Sequence, residues 1–145
     1  MKSTDDPFDL SRFTSAQEGV YDQVLAELRS GEKRSHWMWF IFPQIDGLGS
    51  SSMARRYSIK SIDEAQHYLR HPILGPRLQE CAETVLGIKA RCASEIFGNP
   101  DDMKLKSSMT LFSSVASPGS AFANVLDKYF EGERDSGTLR ILEKR

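Results

Sequence analysis

Apolar residues along this chain recur mostly at helical spacing. Phe13, Val20, Tyr21, Val24, Leu25 and Leu28 form one stripe, which predicts a helix over roughly 7–29. Asp6 is placed to cap it, Pro7 takes the first helical position, Asp9 adds a carboxylate to the first turn, and Gly31 stops it. Gly19 interrupts the stripe. Glycine inside a helix costs about 1 kcal/mol relative to alanine, so close packing against a neighbour is the expected reason for it. Further on, Ser61-Ile62-Asp63-Glu64 reads as a capping box, and Ile62, Ala65 and Leu69 carry that helix to His71-Pro72. Gly75-Pro76 opens another, with Leu78, Cys81, Ala82, Val85 and Leu86 on its buried face. A short turn over 94–97 ends at Gly98. Asn99-Pro100-Asp101-Asp102 then combines a capping residue, a proline and two carboxylates at the positive end of a helix dipole, and predicts a helix to about Ala116. Ser117-Pro118 starts the next, with Phe122, Val125, Leu126, Tyr129 and Phe130 on one face and Gly132 as its stop. Asp135 is set to cap a last helix containing Leu139 and Leu142.

One stretch departs from this regularity. HWMWFIFPQIDGLGSS, residues 36–51, packs two tryptophans, two phenylalanines, a methionine and an isoleucine into one short run, then breaks into glycine and serine. Periodicity alone does not separate a buried strand from two helical turns over 36–42. Ser35 as a cap and the helical surroundings favour a short helix ended by Pro43. No β-branched run with hairpin turns occurs elsewhere. The expected fold is therefore all-α: a single-domain multihelical array over 1–145.

Composition narrows the function without naming it. The chain has 145 residues and a formal net charge of −1, enough length for one self-supporting core. No basic run marks a nucleic-acid footprint, so nucleic acid is not an expected partner. Cys81 and Cys92 are the only cysteines and form no CxxC, which suits a reducing compartment. The N-terminus lacks the apolar core of a signal peptide, and no window suits a membrane span. A cytoplasmic protein with no membrane partner is expected. His36, His67 and His71 are scattered without metal-ligand spacing, so neither a metal nor a cofactor is expected. His71 before Pro72 reads as a cap or turn residue, and His67 lies on a polar face.

Candidate chemistry gathers in two places. On a wheel of the helix from Asn99, the residues Leu105, Met109, Leu111, Phe112, Val115 and Ala116 share an apolar arc, and Lys104 and Ser108 fall inside it. Lys106 and Ser113 fall on the far side. A cation aimed inward is costly unless it is paired or binds an anion. Lys104 is thus either a snorkelling or ion-paired residue or an anion contact and proton-transfer group. The second place is the aromatic run and the loop after it. Trp37 and Trp39 could stack on a ring, with His36 and Gln44 beside them. Gly47, Gly49 and Ser50 could offer backbone amides and a hydroxyl to an anion, as nests do. Arg55 and Tyr57 follow closely, and Asp46 is a candidate base. GLGSSS is not a Walker loop and no GxGxxG is present. The plainer reading is a core segment followed by an exposed linker.

The strings DPFDLSRF, YDQVLAELRSGEKRSHWMWFIFPQIDGLG, YLRHPILGPRL, EIFGNPDDMKLKSSMTLF and KYFEGERDSGTL resemble, nearly end to end, the bacterial family known as domain of unknown function 1810. That resemblance implies a mainly helical single domain. A more distant likeness is to the NADAR superfamily, which has an early aromatic segment, an inward lysine and a glycine-rich turn. It implies a nucleotide, ADP-ribose or sugar-phosphate ligand and N-glycoside hydrolysis. Together these readings lead us to expect a small anionic, ring-bearing ligand between residues 36–57 and the helix of Lys104. Lys104 and Asp46 are the catalytic candidates; His36, Trp37, Trp39, Gln44, Gly47, Gly49, Ser50, Arg55, Tyr57 and Ser108 would bind. The alternative is a non-catalytic interaction module with an exposed aromatic patch.

Overall fold

Two short helices stand where the first apolar stripe predicts one long one. In the computed structural model, which describes residues 6–144, α1 (Ser11–Gln17) and α2 (Tyr21–Ser30) are separated at Gly19. Gly19 has φ of 82°, and a Cβ on it would meet nothing within 4 Å. Its role is the left-handed backbone that turns the chain, not the close packing expected above. Asp6 does act as a cap, accepting from the amides of Leu10 at 2.7 Å and Ser11 at 3.0 Å, but the helix it serves starts later than Pro7. The first five residues, part of the N-terminus read above as lacking a leader, lie outside the described residues.

The remaining helices are α3 (Met38–Ile41), α4 (Ser52–Arg56), α5 (Ile62–Arg70), α6 (Leu74–Leu86), α7 (Ala93–Phe97), α8 (Asp101–Val115), α9 (Ala121–Phe130) and α10 (Ser136–Glu143). Several boundaries follow the capping logic of the sequence. Ser61 accepts from Glu64 N, Asp135 accepts from Thr138 N, and Gly31 closes α2 with φ of 83°. The box at Ser61 is displaced by one residue on its return arm, because the Glu64 carboxylate takes the amide of Lys60. Asn99 makes no side-chain cap on α8; Pro100 holds the N-cap position. Ser35 does not start α3 either: Trp37 does, and the Ser35 hydroxyl turns back to Glu27. The fold is all-α, and the one β-type contact among the described residues is a single parallel bridge between Ile45 and Ile59.

α8 is the central element, packing against α5, α7, α9 and α10. Every residue from Leu105 to Phe112 is buried, including Lys106, Ser107, Ser108 and Thr110. Its Phe112 ring meets Tyr68 of α5 and Phe122 of α9. Phe13, Leu28, Phe42, Tyr68, Leu78 and Phe112 belong to one continuous core. The aromatic run enters it through Phe42, which stacks edge-on to Phe97. No helix among the described residues is long and apolar enough to cross a membrane.

Candidate functional site

Glu27 organises the approach to the aromatic run. It lies on the inner face of α2, and the chain leaving Gly31 curls around it. Its carboxylate accepts from the amides of Arg34 at 2.8 Å and Ser35 at 3.0 Å, from the Ser35 hydroxyl, from Gln23 and from the Trp37 indole at 2.9 Å. Burial alone would raise this carboxyl, but the hydrogen bonds from Ser35, Arg34, Gln23 and Trp37 outweigh it and hold the group at about 2. Trp37 is thereby fixed, and its ring is only 2% exposed.

Two residues on, the helical turn of α3 carries Trp39 to the other side of the run, where its ring stays partly exposed. The Lys104 ammonium lies 5.3 Å from the centroid of that ring. A second lysine, Lys33, lies 5.1 Å from the Trp37 ring. One carboxylate joins the two: Asp101, in the first turn of α8, sits 2.9 Å from Lys33 Nζ and 3.4 Å from Lys104 Nζ. Lys33 also donates to the Ser35 carbonyl and is nearly buried, whereas the Lys104 side chain is 27% exposed. Of these groups Trp37 and Lys33 are closed off, while Lys104, Asp101 and Trp39 keep access to solvent. Lys104 and Trp39 can offer a cation and a π-face to the same ligand.

The other candidates are placed differently. Tyr57 is buried against Phe13 and Phe40, which leaves no open face for stacking. His36, Ser50 and Arg55 are exposed, and Gln44 contributes its carbonyl to the Ile59 amide. Asp46 lies beside the bridge, where it accepts from Ser58 at 2.9 Å and pairs with Lys60 at 3.5 Å. The glycine loop has structural reasons for its composition. Gly47 has φ of 111° and a Cβ on it would come within 3.2 Å of Ile141 on α10. A Cβ on Gly49 would lie 2.6 Å from that of Ala54, and Ser51 caps α4. The turn thus packs on α10 and α4, while the partners of Lys104 are Asp101 and Trp39. Ser108 is fully buried one turn along from Lys104, and its hydroxyl has no hydrogen-bond partner among the described residues.

Lys106 corrects the helical wheel. The wheel puts it on the far side of α8, yet it is 9% exposed and its ammonium pairs with Glu133 at 2.6 Å. The chain returning through α9 and α10 covers that side, so α8 has no solvent face along its middle. Lys33 and Glu27 were not singled out from the sequence at all. Both sit in polar stretches that look solvated, and the signal that betrays them is tertiary.

A family model described as a protein of unknown function, DUF1810, matches residues 7–142. The chain belongs to this family. It is similar to a solved structure, that of the conserved hypothetical protein Rv1873 from Mycobacterium tuberculosis, at 54% identity and a TM-score of 0.93. That match covers 95% of this chain and 99% of the other. No curated protein matches. These matches carry the DUF1810 resemblance and give no support to the NADAR likeness. As a DUF1810 protein it has an all-α fold, shared with that solved structure.

Proposed function

We propose that this DUF1810 protein binds a small anionic, ring-bearing ligand of nucleotide, ADP-ribose or sugar-phosphate type at the Trp39–Lys104 edge. The observation that carries the reading is the partly open Trp39 ring with the Lys104 ammonium 5.3 Å from its centroid. Lys104 is only loosely held by Asp101 at 3.4 Å, and Asp101 has a closer partner in Lys33 at 2.9 Å. An incoming phosphate can therefore take Lys104 without stranding a carboxylate. Asp46, the base that N-glycosidic hydrolysis would need, is engaged by Ser58 and Lys60.

The test is a thermal-shift screen of nucleotides, dinucleotides and sugar phosphates with wild type and Lys104→Met. A ligand at about 100 times its dissociation constant adds roughly 2.7 kcal/mol of stability, and the variant should lose that gain. A screen without a stabilising ligand, or equal stabilisation of both proteins, would favour the interaction-module reading of the aromatic run.

A further inference from the structure

A second feature has the makings of a site. The segment from Asp6 to Thr14 and the C-terminal end of α5 enclose an open cleft of about 360 Å³, within the size range of small-molecule sites. Its walls are fixed. Arg12 donates to the carbonyls of Phe8, Asp9, Arg56 and Ser58 and pairs with the buried Glu64 at 2.7 Å. The Phe8 ring packs on His67 with centroids 4.8 Å apart. Asp6, the acid of the cleft, has its carboxylate turned onto the Leu10 and Ser11 amides.

The hydrogen bonds of the two histidines assign their tautomers. His67 Nδ1 faces the Asp63 carbonyl at 2.9 Å, and a carbonyl only accepts, so Nδ1 carries a proton. His71 Nδ1 faces two donors, the amides of Ile73 at 3.1 Å and Leu74 at 3.2 Å, so there Nδ1 carries the lone pair and Nε2 the proton. Between them lies Arg70, exposed and without an ion pair among the described residues. A metal bridging both Nε2 atoms would force the His71 proton onto Nδ1, against the two amides. An oxyanion makes no such demand.

We infer that this cleft is a binding site for a small ligand carrying an oxyanion, carboxylate or phosphate, on an aromatic ring. The oxyanion takes the Arg70 guanidinium and the His71 Nε2–H, and the ring lies against Phe8 and His67. This goes beyond the Trp39–Lys104 reading and stands independently of it.

Residue-resolved NMR titration of the full chain with phenyl phosphate, benzoate and inorganic phosphate tests it. Phenyl phosphate or benzoate should shift the amides of Ser11, Thr14, Arg70 and His71, and whichever binds tighter identifies the anion. Inorganic phosphate, lacking the ring, should bind about tenfold more weakly, and Arg70→Gln should weaken the aromatic probe about tenfold, the loss of one charge-assisted contact. Arg70 is exposed, so that variant should keep the wild-type melting temperature. The inference is overturned by the absence of cleft shifts with all three probes at millimolar concentration, or by equal binding to Arg70→Gln. Shifts confined to Trp39 and Lys104 also overturn it, and belong to the other site. So does zinc binding at the cleft that is lost in His67→Ala.

Discussion

Trp37 and Trp39 are two residues apart and belong to different environments. Trp37 is sealed: its indole N–H ends on Glu27, its ring is 2% exposed, and the lysine beside it is itself nearly buried. Trp39 is partly open, with a lysine that reaches solvent and holds its carboxylate loosely. Both pairs meet at Asp101. The difference shows that one side of this aromatic run is saturated and structural, while the other retains unused donor and ring surface. Density of aromatic residues does not tell the two apart; the count of satisfied hydrogen bonds does.

The largest effects should come from breaking the sealed side. Phe42 is 1% exposed and packs against Trp37 and Phe97. Phe42→Ala is expected to cost about 3–5 kcal/mol, read from denaturant unfolding. A loss below about 1 kcal/mol would mean that this part of the core is not close-packed. Glu27→Gln comes next. The amide can keep one oxygen toward Arg34, Ser35 and the Trp37 indole, but it turns a donor onto the Ser35 hydroxyl and Gln23 and removes the charge that strengthens all five bonds. Roughly 3 kcal/mol should be lost, together with the fixed position of Trp37 in the near-ultraviolet dichroism spectrum.

Acid should mimic that substitution. The Glu27 carboxyl is held at about 2 against an ordinary 4.5, so the folded state binds fewer protons than the unfolded one. Its contribution, on the order of 3 kcal/mol, is fully present above about pH 4.5 and is lost as pH falls from there toward 2. Wild type should lose more stability across this interval than Glu27→Gln, which has no carboxyl to titrate there. Parallel stability curves for the two proteins between these pH values would remove Glu27 as the cause. On the open side, Trp39→Ala deletes a ring that is only partly buried and should cost roughly 1–2 kcal/mol, less than Phe42→Ala, while abolishing binding of ring-bearing ligands.

The comparison also shows what was legible in the chain. Caps and stops were: Gly31, Ser61 and Asp135 act locally, through hydrogen bonds within a few residues, and their chemistry is written in short windows. The direction of Lys104 was legible too, since its position on the wheel points it toward Trp39. Its degree of burial was not, because a long stem at the first turn of α8 escapes sideways. Lys106 was misread for a tertiary reason: a wheel assumes one solvent face, and α8 is enclosed on several sides. The Gly19 break was hidden because the apolar stripe stays in phase across α1 and α2, and only the backbone angle reveals the turn. Tyr57 looked like part of an arginine-rich loop, yet the bridge between Ile45 and Ile59 carries it to the core. His67 as a polar-face residue and His71 as a cap were legible, whereas the cleft they share with Phe8 and Arg70 was not, because its walls depend on the long-range Arg12–Glu64 pair.

The smallest effect is the most discriminating. Lys104→Met removes a cation beside a ring, about 0.5–1 kcal/mol at a partly exposed site, and one ion pair within a helical turn, about 0.2–0.5 kcal/mol. Against this, methionine keeps a stem of similar length and its sulfur gains a contact with Trp39, about 0.3–1.5 kcal/mol. Asp101 keeps Lys33 at 2.9 Å and is not left as an uncompensated charge. The terms nearly cancel, so the variant should melt within about 2 °C of wild type. Binding at the open edge has no such compensation, because methionine offers nothing to a phosphate. Retained stability with lost affinity for phosphate-bearing ligands is the expected pair of results. A large drop in melting temperature would instead place Lys104 on the structural side of the run with Lys33 and Trp37, and would leave Trp39 as a half-buried ring without a binding role.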